Sequence, residues 1–226
     1  MKSLFKRIAK KPLIASVICM TAAASNAQNY IINAAIEGLP NDSKIYLIRA
    51  SDGRKIDSTI SKNTRFNLVG HIHEAAHTYL YFGKTVKLTD ILLDNQEINV
   101  TGNAPTYDSV TVSGSAIDAQ WKDWFREDHN LGSIRYKINQ LAKELPDNSG
   151  EKLTLLAAEI MKRRVQLLKD YVKRYNNSPS GAVLPTLCTI GDYLTKEDYR
   201  QMYLTLTPRM KGTDMGKMVK QLGERD

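Results

Sequence analysis

Cysteine is scarce in this chain, which has only Cys19 and Cys188 among its 226 residues. There is no C-x-x-C, and a thiol–disulfide enzyme of the thioredoxin type needs two cysteines to cycle between its oxidised and reduced forms. Cys188 lies in the apolar stretch AVLPTLC, where a lone cysteine is typical of a small buried hydrophobic residue rather than of a nucleophile. The sequence therefore excludes a self-contained dithiol redox site.

Several motifs of common enzymes and nucleotide-binding proteins are also missing. The chain contains no G-x-S-x-G nucleophile elbow, no G-x-x-x-x-G-K-[ST] phosphate loop and no dinucleotide-binding G-x-G-x-x-G. Carboxylate pairs such as Glu197-Asp198 have the spacing of an ordinary solvated helix surface. We therefore predict a protein that is not an enzyme and that uses no cofactor.

The N-terminus has the pattern of a secretory signal peptide. The stretch MKSLFKRIAKK holds five basic and no acidic side chains, and the apolar run PLIASVICMTAAA precedes the small-residue pattern Ser25-Asn26-Ala27. Cleavage after Ala27 would export the mature chain to the periplasm or the medium. The apolar run is shorter than the ~20 residues that span a bilayer, so we expect no transmembrane segment after signal removal. A lipid anchor on Cys19 is disfavoured, because a lipidated cysteine normally follows a small residue and this one follows Ile18.

Removal of the signal peptide also removes most of the excess basic charge. The full chain has 32 basic and 24 acidic residues and a formal charge of +8, whereas residues 28–226 have 27 basic residues and a charge of +3. A small positive excess does not favour nucleic acid as a partner.

Residues from Tyr30 to about Ser113 form short runs rich in Ile, Val, Tyr and Thr, separated by turn clusters such as PNDS and SDG. Runs of this length and spacing predict a β-sandwich-like pair of sheets, which we place at residues 28–114. The short links at 51–53 and 62–64 predict hairpins and therefore antiparallel strands. The predicted strands lie near 30–37, 43–50, 55–61, 65–73, 77–82, 90–94, 96–101 and 108–113.

The apolar period changes from that of a strand to that of a helix at Ser113-Gly114-Ser115. Ser115 is a good helix N-cap with Asp118 three positions later, as in a capping box. Trp121, Trp124 and Phe125 follow at helical spacing and could either bind a ligand or cover the open face of the sheet. We favour the covering role, because large aromatic residues carry much of the burial in a protein core.

Two long apolar stripes then predict an antiparallel helical hairpin. Shorter helices are predicted after Ser178-Pro179 and at Thr195, which repeats the cap pattern of Ser115. We therefore assign residues 115–226 to a helical region and the chain to the α+β class. The first stripe contains Ile134, Ile138, Leu141 and Leu145, and the second contains Leu153, Leu156, Ile160, Leu167, Tyr171 and Val172.

Three of the four histidines lie close together in the stretch GHIHEAAHTYLYF. His71 and His73 are two positions apart, so on a strand they share a face and could bind one metal ion, with His77 as a third ligand. The alternation of the strand favours another interpretation, because its core face then consists of Phe66, Leu68, Gly70 and Ile72 and the histidines point to solvent. A structural zinc site also needs a fourth ligand, and no cysteine lies near. A metal site formed by His71, His73 and His77 is kept as the alternative hypothesis.

Several stretches also resemble a known family. IEGLPNDSKIYLI, DSTISKNTRFNLVGHI, ILLDNQEINVTG and VTVSGSAIDAQWKDW resemble the domain of unknown function 4369 (DUF4369), which is found ahead of TlpA-like thioredoxin domains in bacterial envelope proteins. LLKDYVKRYNNSPSGAVL and YLTLTPRMKGTDMGKMVKQL resemble the helical connector that precedes the thioredoxin domain. The redox cysteines of the family have no counterpart in this sequence, so no catalytic residue is carried over.

The resemblance implies an envelope protein with the accessory part of a redox protein and without the redox part. Our first hypothesis is an exported, non-catalytic module that binds a protein partner or a small envelope ligand. The second is the detached half of a thiol–disulfide system, which positions a separate thioredoxin-like protein. The third is a histidine-based metal-binding protein, and the fourth is a truncated descendant of a longer enzyme.

Overall fold

The structure is a computed structural model that describes residues 29–145 and 148–225. The predicted signal peptide, residues 1–27, lies outside these ranges. Within the described ranges, no helix combines the length and the apolar character that a membrane span requires.

Residues 30–113 form a β-sandwich of two four-stranded sheets, as the sequence predicts. One sheet has the strand order β4-β1-β7-β8 and the other has the order β3-β2-β5-β6. The turn clusters therefore mark the strand ends well. The strands are β1 Tyr30–Ile36, β2 Lys44–Arg49, β3 Lys55–Ile60, β4 Arg65–Gly70, β5 Ala76–Phe82, β6 Val86–Leu93, β7 Glu97–Gly102 and β8 Val110–Ser113.

Two details differ from the predicted antiparallel hairpins. β1 and β7 are parallel, with Ile32 opposite Ile98. The link at 62–64 is a tight turn, because Lys62 and Arg65 exchange backbone hydrogen bonds of 2.8 and 3.0 Å, but the strands on either side belong to different sheets. A short link fixes the turn and not the strand partner, so the prediction of a hairpin here is wrong. The link at 51–53 does join an antiparallel pair, β2 and β3.

The core of the sandwich follows the alternation of the strands. Ile32, Leu47 and Leu80 are fully buried between the sheets. Burial of one such side chain contributes about 1.5–3 kcal/mol to folding. On β4 and the loop after it, Phe66, Leu68 and Ile72 are buried, which confirms the predicted core face.

Six helices follow within the described residues. α1 and α2 form the predicted antiparallel hairpin, and their inner faces meet at the ion pair between Asp128 and Arg164, where Nε and Oδ1 are 2.6 Å apart. α3 begins at Pro179 and α4 is capped by Thr195, as predicted. The bounds are α1 Ala116–Glu144, α2 Asn148–Arg174, α3 Pro179–Leu187, α4 Lys196–Thr205, α5 Pro208–Gly212 and α6 Asp214–Glu224.

The start of α1 attaches the helical region to the sandwich. The Ser115 hydroxyl accepts a hydrogen bond from the Asp118 N–H at 3.2 Å, which confirms Ser115 as the N-cap. The Asp118 carboxylate does not complete a capping box and instead accepts from Leu92 N on β6 at 2.8 Å and from Trp121 Nε1 at 2.9 Å. Trp121 lies over the outer face of the sheet and Trp124 is fully buried among the helices. The covering role is confirmed for Trp121, which contacts His77 on β5 with ring centroids 5.2 Å apart, whereas Trp124 belongs to the core of the helical region.

The apolar stripes of the hairpin are buried only near the sandwich. Tyr171 and Val172 are buried in the helical core, whereas Ile134 and Leu141 remain 50% and 51% exposed. The prediction that the two stripes cover each other is therefore wrong for the far end of the hairpin. The shorter helices pack around the near half of α1 and α2, so the far half has solvent on one side.

Candidate ligand-binding cleft

A cleft of about 810 Å³ lies where one end of the sandwich meets α3 and α6. Its volume is in the range of about 300–1,000 Å³ that is usual for small-molecule sites. The sandwich supplies mainly polar and basic side chains to the cleft, and the two helices supply mainly apolar ones. The lining includes Arg49, Arg54, Lys55, Ile56, His71, His73, Glu74, His77, Tyr79, Val183, Thr186, Leu187, Asp214, Met215 and Met218.

The loop between β4 and β5 carries two of the predicted site residues, His71 and His73. Asn95 holds this loop, because its side-chain amide donates to the Ile72 carbonyl at 2.7 Å and its amide oxygen accepts from the Ile72 N–H at 3.0 Å. Ile72 is thereby kept in the core and both histidines lie on the exposed side, as predicted. Their rings contact each other edge to face, with centroids 5.6 Å apart.

His77 lies in a different environment. Its side chain is only 12% exposed, and its ring contacts Trp121 and Tyr79 with centroid distances of 5.2 and 4.9 Å. Nε2 is 3.3 Å from Asp90 Oδ1, a contact that does not have the geometry of a hydrogen bond. The prediction that all three histidines face solvent is wrong for His77, because α1 covers the outer face of β5.

The stretch His73-Glu74-Ala75-Ala76-His77 also has the letters H-E-x-x-H, a zinc pattern that the sequence interpretation missed. The pattern binds zinc when it lies on a helix, which places both histidines on one face. Here it spans a loop and the first residues of β5, and the Glu74 carboxylate accepts from the Asp214 N–H at 3.2 Å. In residues 29–145 and 148–225 no three His, Cys, Asp or Glu side chains are grouped as a metal site.

Asp90 is the centre of a polar cluster beside His77. It accepts a 2.5 Å hydrogen bond from the Tyr107 hydroxyl and lies 3.3 Å from Lys87 Nζ. Burial would raise the pKa of Asp90, but the contacts with His77 and Tyr107 and the charge of Lys87 outweigh it and hold the pKa below its ordinary value. Burial and the bond to Asp90 raise the pKa of Tyr107. The cluster is therefore an ionised carboxylate held by neutral and cationic donors.

The basic side of the cleft is built by the turn between β2 and β3. Arg49 N donates to the Arg54 carbonyl at 2.9 Å, which brings Arg49, Arg54 and Lys55 together. The Arg54 guanidinium is mostly exposed and 3.9 Å from Asp52. Arg49 is different, since its Nε atom is buried and has no hydrogen-bond partner in the described part of the chain. The sequence interpretation missed these residues, although the basic pair that follows the SDG turn was a visible signal.

The opposite side of the cleft is apolar. α3 contributes Val183 and Leu187, and α6 contributes Met215 and Met218. Met218 is 43% exposed at this edge. The Asp214 carboxylate at this edge is 3.3 Å from Lys217 Nζ.

Cys188 lies at the end of α3, away from the lining of the cleft. Its thiol is 3.5 Å from the Pro185 carbonyl oxygen, and burial raises its pKa to about 11. A thiol with so high a pKa stays protonated at neutral pH and is a poor nucleophile. The sequence predicts a small buried hydrophobic residue here, and the thiol is partly buried.

The comparisons with known proteins concern the sandwich. No curated protein matches the chain. A family model described as a domain of unknown function, DUF4369, matches residues 30–121, which span the whole sandwich and the first turns of α1 as far as Trp121. The matched segment thus ends at the residue that covers the outer face of the sheet. Residues 30–121 of this chain are therefore a DUF4369 domain.

Proposed function

We propose that the protein is an exported, non-catalytic binding module of the bacterial cell envelope, and that the cleft between the sandwich and α3 and α6 is its binding site. The observation that carries the proposal is the cleft itself, which has an apolar side, a basic side and a buried guanidinium nitrogen without a partner. An ion or a water bound at such an atom is one explanation for its missing partner. The predicted signal peptide supports the export.

The absence of catalysis is supported by the state of the candidate reactive groups. Cys188 has a raised pKa, and the Asp90 carboxylate is held by Tyr107 and Lys87. We expect the purified mature protein to show no disulfide reductase or isomerase activity. Turnover that depends on Cys188 would contradict the proposal.

The binding role is tested by thermal unfolding of residues 28–226 with a panel of small anions, cations and neutral amphiphiles. A compound that binds the native state raises the melting temperature. Met218→Trp narrows the apolar side of the cleft and should reduce the shift, whereas Leu204→Trp, on an exposed position of α4 outside the cleft, should keep it. Absence of any shift in the panel, or equal shifts in both variants, would contradict the proposal.

A second function is favoured by the match to DUF4369. In this proposal the chain positions a separate thioredoxin-like protein, which would supply both redox cysteines because Cys188 is alone in the mature chain. A pull-down from envelope extract should then recover a thioredoxin-fold protein with the wild-type chain. Failure to recover one would count heavily against this function.

Metal binding by His71, His73 and His77 stays a third proposal. Specific binding of Zn²⁺ to the native state must raise the melting temperature. Equal melting temperatures with and without Zn²⁺ would remove it.

A further inference from the structure

We infer that the cleft binds an amphipathic anion, with a carboxylate or phosphate head group beside Arg49 and Lys55 and an apolar chain along Leu187, Met215 and Met218. The inference rests on the proposed function, because it names the class of ligand for the same cleft. Separate observations support the charged head group and the apolar chain of the ligand.

The charge is carried by the turn between β2 and β3. Three permanent cations, Arg49, Arg54 and Lys55, lie side by side at one end of the cleft. The two carboxylates of the lining are already engaged, since Glu74 accepts from the first N–H of α6 and Asp214 lies beside Lys217. Arg54 lies 3.9 Å from Asp52, so Arg49 and Lys55 carry the positive charge that an anion would neutralise.

Arg49 indicates where in the cleft the anion would bind. Its Nε atom is buried and lacks a hydrogen-bond partner in the ranges that the structure describes. A guanidinium is a planar fork of donors that matches the paired oxygens of a carboxylate or a phosphate. An anionic head group in the cleft would pair with the charge of the Arg49 guanidinium, which lines the cleft.

The apolar chain is carried by the helical side. Leu187, Met215 and Met218 line the same cleft as the basic residues, and Met218 is partly exposed. Methionine side chains are flexible and polarizable, so they adapt to chains of different shape. An inorganic anion would leave this surface in water, whereas an amphiphile would cover it.

The test compares matched probes on residues 28–226 by isothermal titration calorimetry, below the micelle concentration of each. The probes are decanoate, decyl phosphate, decanol, acetate and decyltrimethylammonium. We expect decanoate or decyl phosphate to bind at least about tenfold more tightly than decanol and acetate, since loss of either a charged hydrogen bond or a buried chain costs at least that factor. The stronger of the two anions identifies the head group.

Variants link the binding to the cleft. Arg49→Gln and Lys55→Gln should each weaken the preferred anion, the first by about tenfold and the second by about threefold, because Lys55 is more exposed to solvent. Arg65→Gln removes a basic charge from an exposed position of β4 outside the cleft and should leave the affinity unchanged. If Arg49→Gln fails to fold, Lys55→Gln still tests the charge, because its side chain lies on the surface.

Several outcomes would overturn the inference. If decanol binds as tightly as decanoate, the inferred role of the charge is wrong. If acetate binds as tightly as decanoate, the inferred role of the apolar chain is wrong. Binding of decyltrimethylammonium alone would overturn the ligand class and leave the cleft as a binding site, whereas no binding by any probe in either assay would overturn both proposals. A hexaglutamate peptide is titrated as a further probe, and tighter binding of this peptide than of decanoate would replace the amphiphile with an acidic protein segment.

Discussion

Asp118 joins helix α1 to strand β6 by a hydrogen bond. Its buried carboxylate accepts from Leu92 N, from Trp121 Nε1 and from Lys122 Nζ, at 2.8, 2.9 and 2.6 Å. The negative charge also lies in the first turn of α1, where the helix dipole stabilises it. Removal of this carboxylate would leave buried N–H groups without an acceptor.

We predict that Asp118→Ala lowers the free energy of unfolding by about 3 kcal/mol, because it leaves several buried donors unpaired. Asp123→Ala is the matched control on the same helix, since Asp123 is partly exposed and pairs with the exposed Arg126 at 2.7 Å. The control should cost about 0.5 kcal/mol. Urea denaturation followed by tryptophan fluorescence measures both values, and equal losses would contradict the role of Asp118.

Asp94 destabilises the native state when it is ionised, whereas the ionised Asp118 stabilises it. Burial, together with the nearby negative charge of Asp118, raises the pKa of Asp94 to about 6, although Ser115 and the backbone lower it in part. The native protein therefore binds more protons than the unfolded chain between about pH 4 and pH 6. The stability that protonated Asp94 contributes is complete below about pH 4 and is lost as the pH rises through 6.

Asp94→Asn should remove this dependence. We expect it to raise the free energy of unfolding at pH 7 by roughly 1 kcal/mol, a value reduced for the partial exposure of the side chain, and to change little at pH 4. Denaturation at both pH values gives the difference between the wild type and the variant. The wild type alone is not a sufficient measure, because Asp90 and Asp198 have lowered pKa values and their contribution to protein stability is lost as the pH falls. This contribution is common to the wild type and the variant, so it cancels in the difference. A gain of equal size at both pH values would contradict the prediction.

Single residues were predictable from the sequence when their position depends on local alternation. Phe66, Leu68 and Ile72 are buried as the alternation of β4 requires. Burial of His77 and Arg49 was not predictable, because it depends on elements that are distant in the sequence. Trp121 covers His77 from 44 residues away, a distance that no local pattern encodes.

The two long helices show a contrast within each element. The shorter helices bury the N-terminal half of α1 and the C-terminal half of α2. The tip of the hairpin instead has half-exposed apolar side chains such as Ile134, Leu141 and Leu156. Amides in segments with few buried contacts open at a lower free energy. The two halves of each helix should therefore differ in stability.

We predict that backbone amides of residues 134–144 and 150–156 exchange with solvent deuterium faster than those of residues 118–128 and 160–172. Mass spectrometry after deuterium labelling measures the rates, and the near half of each helix is the internal control. Uniform protection along both helices at low protein concentration would contradict the prediction. Protection of the tip that appears only at high concentration would show that a second molecule covers it.

Elements were predicted well where turn residues mark their ends. The starts of α1, α3 and α4 and seven of the eight strands lie close to their predicted positions, whereas β6 begins at Val86, four residues before its predicted start. The strand partners were predicted less well, because hydrogen-bonding partners are chosen by the packing of whole sheets. The parallel pair of β1 and β7 is the clearest case.

At the scale of the whole molecule, strand β6 belongs to both cores. Leu88, Ile91 and Leu93 are buried between the sheets, and Leu92 is buried among the helices. The order of sandwich and helical region was predictable from the change of apolar period at Ser115. The cleft was not, because it arises only where these two parts meet.

This shared strand leads us to predict that the sandwich and the helical region unfold together. Differential scanning calorimetry should give one transition whose calorimetric and van't Hoff enthalpies agree. Leu92→Ala should lower the free energy of unfolding by about 2–5 kcal/mol, whereas Leu204→Ala, at a largely exposed position, should cost less than about 1 kcal/mol. Two separate transitions in the wild type would contradict a common core.

The position of β1 in its sheet has a consequence for the folding rate. β1 lies between β4 and β7, with Ile31 opposite Val69 on one side and Glu97 on the other. Both neighbours are remote in sequence, and contacts between remote segments slow folding because a long loop must close first. The α1–α2 hairpin has a short link and can form early. The central strand of this sheet should therefore be the last to gain its partners, which leaves its hydrogen-bonding groups available to chaperones in a newly made chain.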